Sequence, residues 1–161
     1  MSKHKIGTIT LGEETFLSDP CYGYNLGGNA SINTLAGEYN VFVTRSESTS
    51  RFLANRISSI MVVHKDFKNF VKMPKNDKEN LYCAVDSGTC GIFDYEYYKK
   101  YHNEKDVDDD WYDNFVINRM VDTIITDNKG AISSSGLGDG CYPVFAEYVN
   151  NKAYAIRICF L

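Results

Sequence analysis

The chain has 161 residues, of which 43% are hydrophobic and 24% are charged. These values predict a single globular domain over residues 1–161 and exclude a largely disordered chain. The formal net charge is −4 and the lysines and arginines are scattered, which excludes an electrostatic surface for duplex nucleic acid.

The first residues of the sequence and the cysteines predict the cellular location of the protein. Residues 1–5 are polar and no long apolar run follows, so we expect neither a signal peptide nor a membrane span. The five cysteines include no C-x-x-C pair, and two of them fall in strand-like segments. We therefore expect a cytoplasmic protein with reduced thiols.

The first thirty residues predict two strands and a loop. Residues 6–11 and 15–17 are strand-like on either side of the turn residues Gly12-Glu13-Glu14, so we expect a hairpin. Residues 23–33 are polar and rich in glycine, which is typical of a surface loop.

The middle of the chain predicts three further strands. Residues 37–44 alternate in polarity, and Ile57–His64 is apolar and β-branched, as strands commonly are. Residues 67–73 indicate a short helix or strand, and residues 72–80 a charged connector. The most continuous short apolar run is 81–85, which favours a central strand.

Two helices are predicted next. The composition of residues 95–101 suits a short helix, with Asp94 as its N-cap. Residues 111–120 form a second helix with Asp109 or Asp110 as the cap, because acidic residues in the first turn complement the helix dipole.

The end of the chain predicts strands and a β-hairpin. Residues 123–125 and 131–134 are strand-like, and a second pair of strands, 144–149 and 153–160, flanks Asn150-Asn151. Asparagine tolerates the positive φ that a two-residue hairpin turn requires. In the last strand the alternation assigns one face to Tyr154, Ile156, Ile158 and Phe160. The chain therefore predicts an α+β fold, with a largely antiparallel β-sheet, one or two helices packed on one face, and a C-terminal β-hairpin.

Three turn motifs interrupt the predicted strands with small, polar or rigid residues, and at one end of a sheet they would frame a pocket. They are Asp19-Pro20-Cys21-Tyr22, Asp86-Ser87-Gly88 and Gly136-Leu137-Gly138-Asp139-Gly140. Their combination resembles a family of small, uncharacterised bacterial and phage proteins. The matching residues are Asp19, Pro20, Cys21, Tyr22, Val85, Asp86, Ser87, Gly88, Gly91, Asp94, Ser135, Gly136, Gly138, Asp139, Gly140, Tyr142 and Pro143. The resemblance implies a shared fold and pocket and carries no mechanism.

The glycine loop has two interpretations. Successive glycines let backbone N–H groups converge on an anion, but a strand rather than a helix follows, so neither a Rossmann fingerprint nor a P-loop is present. The alternative is a tight turn or bulge that needs positive φ.

The acidic residues also have two interpretations. Asp19, Asp86, Asp94 and Asp139 all lie at strand ends, where converging carboxylates hold Mg²⁺ or Ca²⁺ or act as general acid and base. Aspartate in such positions is equally ordinary turn and capping chemistry. We expect no metal or cofactor.

Cys21 and the tyrosines complete the candidates. As a nucleophile Cys21 would need His64 or His102 as a base, and a structural cysteine is the alternative. Tyrosines cluster around the predicted helices at positions 95, 97, 98, 101 and 112, where they suit a base-stacking pocket, a protein interface or a half-buried core edge.

These observations predict a small binding protein with a pocket for a small polar or nucleotide-like ligand. One version, suggested by the phage resemblance, sequesters a nucleotide-like immune signal. The alternatives are a hydrolase of such a ligand that uses the aspartates, and an interaction module that inhibits a protein partner; homo-oligomerisation is left open. The candidate ligand-binding residues are Asp19, Cys21, Tyr22, Asp86, Ser87, Asp94, Ser134, Ser135, Gly136, Gly138, Asp139 and Tyr142.

Overall fold

The computed structural model describes residues 3–67, 80–119 and 122–161. Within them the strands are β1 Lys3–Leu11, β2 Glu14–Ser18, β3 Ala30–Asn33, β4 Gly37–Arg45, β5 Ile57–His64, β6 Tyr82–Val85, β7 Thr89–Asp94, β8 Thr123–Thr126, β9 Gly130–Ser134, β10 Gly140–Val149 and β11 Lys152–Cys159. The helices are α1 Tyr95–Tyr101 and α2 Asp109–Tyr112, the latter continued by a π-helical turn, Asp113–Ile117. Lys65–Phe67 is a 3₁₀ turn.

The strands form two antiparallel sheets that face each other. The six-stranded sheet has the order β1-β4-β5-β11-β10-β6, and the five-stranded sheet has the order β3-β2-β7-β9-β8. Alternate apolar residues of both sheets, such as Ile60 and Ile92, meet in one shared core. The other face of the five-stranded sheet packs against the helices, where Phe93 contacts Tyr98 and Trp111. The predicted fold class is confirmed, with its strands divided between two sheets.

The chain crosses from one sheet to the other at Gly12 and Glu13. β1 pairs with β4, whereas β2 pairs with β3 and β7. The predicted hairpin of these two strands is therefore wrong. The carboxylate of Asp94 accepts a hydrogen bond from the Gly12 N–H at 2.8 Å and holds the crossing in place.

Two strand predictions near the sheet edges are also wrong. Among the described strands β6 pairs with β10 alone and lies at the edge of the six-stranded sheet, although its run of apolar residues predicted a central position. Two of its four residues, Cys83 and Val85, are buried in the core. β3 lies in the predicted surface loop and adds an edge to the five-stranded sheet through β2.

The C-terminal hairpin is confirmed, with one change in its faces. Asn150 and Asn151 have φ of 48° and 62°, as a two-residue turn requires. The register shifts where Tyr148 pairs with Ala153 and Glu147 with Ala155, so Tyr154 is the extra residue of a β-bulge. The bulge turns Tyr154 to the outer face, where it stacks on Phe67 at 4.0 Å, instead of the core face that alternation predicted.

Both helices are present and their caps are specific. Asp94 caps α1, as predicted, by accepting the Tyr97 N–H at 3.0 Å. The cap of α2 is Asp108, which accepts the Trp111 N–H; the prediction of Asp109 or Asp110 is wrong because the helix begins before Trp111. The prediction for residues 67–73 and the connector 72–80 lie almost wholly outside the described residues, as does the end of the second predicted helix. Neither described helix has the length and apolar character of a membrane span.

Candidate functional site

The three turn motifs meet at one end of the two sheets. The Asp19 carboxylate binds the Asp86-Ser87-Gly88 turn, and the carbonyl of Gly88 in turn accepts the N–H of Ser135 at 2.9 Å. We name residues 19–22, 86–88 and 135 the turn junction. The sequence motifs are therefore neighbours in space.

Asp19 organises the turn junction. Its carboxylate accepts the N–H groups of Cys21, Asp86 and Ser87 at 2.7 to 2.8 Å and the Ser87 hydroxyl at 2.7 Å. The side chain is 0% exposed. Four hydrogen bonds occupy both carboxylate oxygens, so Asp19 positions the two turns and has little capacity left for a ligand.

The neighbours of Asp19 are also held by the protein. The Tyr22 hydroxyl donates to the exposed carboxylate of Asp86. Burial, together with the hydrogen bond and negative charge of Asp19, raises the pKa of Cys21 to about 12. A thiol with this pKa carries almost no thiolate at neutral pH. The structure therefore favours the structural interpretation of Cys21.

The two histidines considered as bases are engaged elsewhere. The ring nitrogens of His102 lie 2.9 and 3.0 Å from the carbonyl oxygens of Tyr98 and Pro20. His64 contacts the carbonyl of Ala36 and the backbone N–H of Asp66.

The glycine loop is a tight turn that also borders a cleft. The Ser135 hydroxyl and the Tyr142 hydroxyl both reach the carbonyl of Gly138. Gly136 has φ of +70°, and a Cβ there would collide with the carbonyl oxygen of Ile57. Gly138 has φ of +96°, but a Cβ there would meet no atom within 4 Å, so its backbone is open to the cleft.

This cleft, the arginine cleft, lies between the glycine loop and the segment joining β4 to β5. Its volume is about 420 Å³, within the usual range for ligand pockets of roughly 300–1,000 Å³. It is lined by Arg45, Ala54, Asn55, Arg56, Ile57, Gly88, Asp122, Ser134, Gly136 and Gly138. The predicted residues that line it are Ser134, Gly136 and Gly138.

The charges in the arginine cleft are unequal. Arg45 pairs with Asp122 at 2.8 Å, and both side chains are partly exposed, at 29% and 47%. Arg45 also donates to the carbonyl of Asn55. Arg56 is exposed and donates to the carbonyl of Gly136 at 2.5 Å. Two guanidinium groups and one carboxylate leave the cleft with one net positive charge.

The remaining predicted site residues lie outside the arginine cleft. Asp94 is at the far end of β7 from the turn junction, about 17 Å away for a six-residue strand, and it caps α1. Asp86 and Asp139 are exposed and do not line the cleft. Among the described residues, no three histidine, cysteine or acidic side chains converge as a metal site would require.

The predicted tyrosine cluster forms the packing between the helices and the five-stranded sheet. Tyr97 and Tyr98 are buried, and Tyr95, Tyr101 and Tyr112 are partly buried against the same apolar cluster. The Tyr98 hydroxyl donates to the carbonyl of Tyr22 at 2.6 Å and lies 3.1 Å from the carbonyl oxygen of Asp19. The tyrosine cluster therefore contacts the turn junction through Tyr98 and does not line the arginine cleft.

Sequence reasoning missed Arg45, Arg56 and Asp122. Arg45 ends β4 and Arg56 precedes β5, and the two strands pair with Arg45 opposite Ile57. The sequence predicts strands at 37–44 and Ile57–His64 but not their pairing, and only the pairing brings these two arginines together, because the ends of paired strands lie side by side. Asp122 carries no comparable local signal.

Comparison with known proteins adds nothing to this geometry. No protein-family model, no curated protein and no solved structure matches the chain, so the resemblance to small bacterial and phage proteins stays a prediction.

Proposed function

We propose that the chain is a binding protein that holds a small, nucleotide-like anion in the arginine cleft. The observation that carries the proposal is the position of Arg45 and Arg56 opposite the glycine loop, around a single cleft. The guanidinium group presents its N–H donors in a rigid fork that matches a phosphate or carboxylate.

The charge and the open backbone favour an anion. Arg45 is partly neutralised by Asp122, whereas the guanidinium group of Arg56 has no carboxylate partner among the described residues and donates to the carbonyl of Gly136. The backbone of Gly138 is accessible because nothing fills the space where a side chain would stand. A phosphate between Arg56 and Gly138 would combine a charge with backbone N–H donors.

Two exposed apolar residues that lie close in sequence to the lining of the cleft favour a ligand that also has a ring. Phe52 is 77% exposed, and Leu137 is 55% exposed. Phe52 lies two residues before Ala54, which lines the cleft, and Leu137 lies between the lining residues Gly136 and Gly138. An aromatic ring at such a rim gives a stacking surface for a base, worth about 1–3 kcal/mol.

The composition of the cleft favours binding over turnover. Within the described parts of the chain its lining includes no histidine, cysteine or tyrosine, and its one carboxylate, Asp122, is paired with Arg45. Asp19, the first candidate for a hydrolase, is saturated with hydrogen bonds. A protein that binds without turnover acts by sequestering its ligand, and a nucleotide-like immune signal is the version of this ligand that the phage resemblance suggests.

The test is calorimetric titration with ATP, a cyclic dinucleotide, pyrophosphate and adenosine, with each mixture then analysed for ligand integrity. We expect at least one phosphorylated compound to bind and to be recovered intact, and adenosine to bind more weakly. Arg56→Gln should weaken binding about 10- to 100-fold because it removes a charge-assisted hydrogen bond.

The matched control is Arg51→Gln, an exposed arginine in the same segment that does not line the cleft. Equal losses for both variants would show a diffuse charge effect and overturn the site. Recovery of a cleaved ligand would contradict the binding function and support the alternative of a hydrolase. Absence of binding by all four compounds would contradict the proposal and favour the protein-interaction module.

A further inference from the structure

Two buried cysteines face each other across the core. Cys83 on β6 and Cys90 on β7 have their sulfur atoms 2.9 Å apart, and both side chains are 0% exposed. β6 belongs to the six-stranded sheet and β7 to the five-stranded sheet. The pair therefore spans the interface between the sheets, and both thiols are free.

We propose that Cys83 and Cys90 are an oxidation site, at which a peroxide or a small disulfide converts the two thiols to an intramolecular disulfide that joins the sheets. A disulfide has a sulfur–sulfur bond of about 2.05 Å, so the two atoms need to approach by only about 0.9 Å. The positions are close in sequence and lie on either side of the Asp86-Ser87-Gly88 turn, which the disulfide would enclose in a small ring.

The chemistry balances with hydrogen peroxide as the oxidant. The sulfur of one cysteine attacks the peroxide, an S–O bond forms as the O–O bond breaks, and hydroxide leaves and is protonated to water. The second sulfur then attacks the resulting sulfenic acid, the S–S bond forms, and the S–O bond breaks with loss of a second water. Two thiols give up two electrons and two protons to one peroxide molecule.

The position of β6 gives the oxidant a route to the pair. β6 is a four-residue edge strand whose one partner among the described strands is β10, and its first residue, Tyr82, is 51% exposed. Edge strands of this length open locally at a lower free energy than the core. Burial and the adjacent Cys83 thiol raise the pKa of Cys90, so the reaction is expected to be slower than oxidation of the exposed Cys141.

The experiment treats the folded full-length chain with hydrogen peroxide or oxidised glutathione, blocks remaining thiols by alkylation, and maps the tryptic peptides. Residues 79–99 form one such peptide and contain both cysteines. We expect this peptide to lose the mass of two hydrogen atoms, to resist alkylation, and to become alkylated after dithiothreitol. The oxidised chain should melt about 5 to 10 °C higher, the gain expected for an eight-residue loop.

Two variants separate this pair from the other thiols. In Cys141→Ala, which removes an exposed thiol, the mass loss and the rise in melting temperature should persist. In Cys90→Ala both should vanish. Complete alkylation of both cysteines in the oxidised wild-type chain, or pairing of either with Cys21, Cys141 or Cys159, would overturn the proposal, and this result does not depend on whether the Cys90 variant folds.

Discussion

The turn junction and the arginine cleft are neighbours that share Gly88 and use their polar groups in opposite ways. In the turn junction the buried carboxylate of Asp19 accepts four hydrogen bonds from its own chain. In the cleft the exposed guanidinium of Arg56 bonds to one carbonyl among the described residues and keeps other N–H donors for a ligand. A polar residue in a motif is therefore available for binding only if the fold has not already used its hydrogen bonds.

The largest expected effect is the loss of Asp19. Asp19→Ala leaves three backbone N–H groups and the Ser87 hydroxyl without their acceptor, so we expect the free energy of unfolding to fall by about 3 kcal/mol or more. Urea denaturation at neutral pH measures the change. Asp139→Ala, at an exposed position, should change stability by less than about 0.5 kcal/mol. Similar values for both variants would contradict the organising role of Asp19.

The two regions meet in the glycine loop, where Gly136 and Gly138 should respond differently to substitution. Gly136→Ala combines a left-handed backbone with a collision against Ile57, and we expect a loss of about 2–3 kcal/mol. Gly138→Ala has only the backbone cost, about 1 kcal/mol, because the added Cβ points into open space. Thermal unfolding of the two variants compares them directly, and an equal loss would show that the close approach at Gly136 is unimportant.

A pH-dependent effect should appear beneath the turn junction, at His102. Burial lowers the pKa of His102, although its two carbonyl contacts and Asp108 oppose the shift. The unfolded chain therefore takes up a proton at higher pH than the folded chain. The stabilising contribution is complete above a pH of about 6.5 and is lost as the pH falls through the folded pKa.

Urea unfolding between pH 7.5 and 5 tests this sign. The stability of the wild-type chain should decline more steeply with falling pH than that of His102→Gln. The control is His4→Gln at an exposed position, which should keep the wild-type slope. If the slope of His102→Gln equals that of the wild type, His102 contributes nothing to the pH dependence.

The smallest expected change in stability is in the cleft itself. Arg56→Gln removes an exposed side chain, so the free energy of unfolding should change by less than about 0.5 kcal/mol, even though binding of a phosphorylated compound falls at least tenfold. Denaturation and calorimetry on the same preparation measure both quantities. A large loss of stability would show that Arg56, like Asp19, is required by the fold rather than available for a ligand.

Local patterns in the sequence predicted local structure well. The span of α1 and its Asp94 cap, the bounds of β5 and the Asn150-Asn151 turn all depend on residues close together in the chain, and the structure confirms them. The sheet partners of β1 and β2 and the edge position of β6 depend on distant residues, and those predictions failed. Alternation in one strand says which side chains share a face and not which strand lies beside it.

Only part of the candidate site was predicted, again because local patterns do not report contacts between distant residues. Gly136 and Gly138 are recognisable because few sequences place three glycines so close together, and both do have positive φ. Arg45 and Asp122 are 77 positions apart and meet only through the tertiary fold. The bulge at Tyr154 likewise leaves no mark in the sequence pattern, because one inserted residue reverses a face without changing which residue types are present.

The order of strands in the six-stranded sheet also constrains how the chain can be made. The β10-β11 hairpin, synthesised after every other described strand, is inserted between β5 and β6. Before it emerges from the ribosome, β6 lacks its one partner among the described strands and the apolar β5 presents an open edge, a template for aggregation. A hairpin with a two-residue turn forms within about 1–10 μs and closes both edges in one event. Translation of β10 and β11, rather than of the first strands, therefore sets the moment at which these two strand edges are closed.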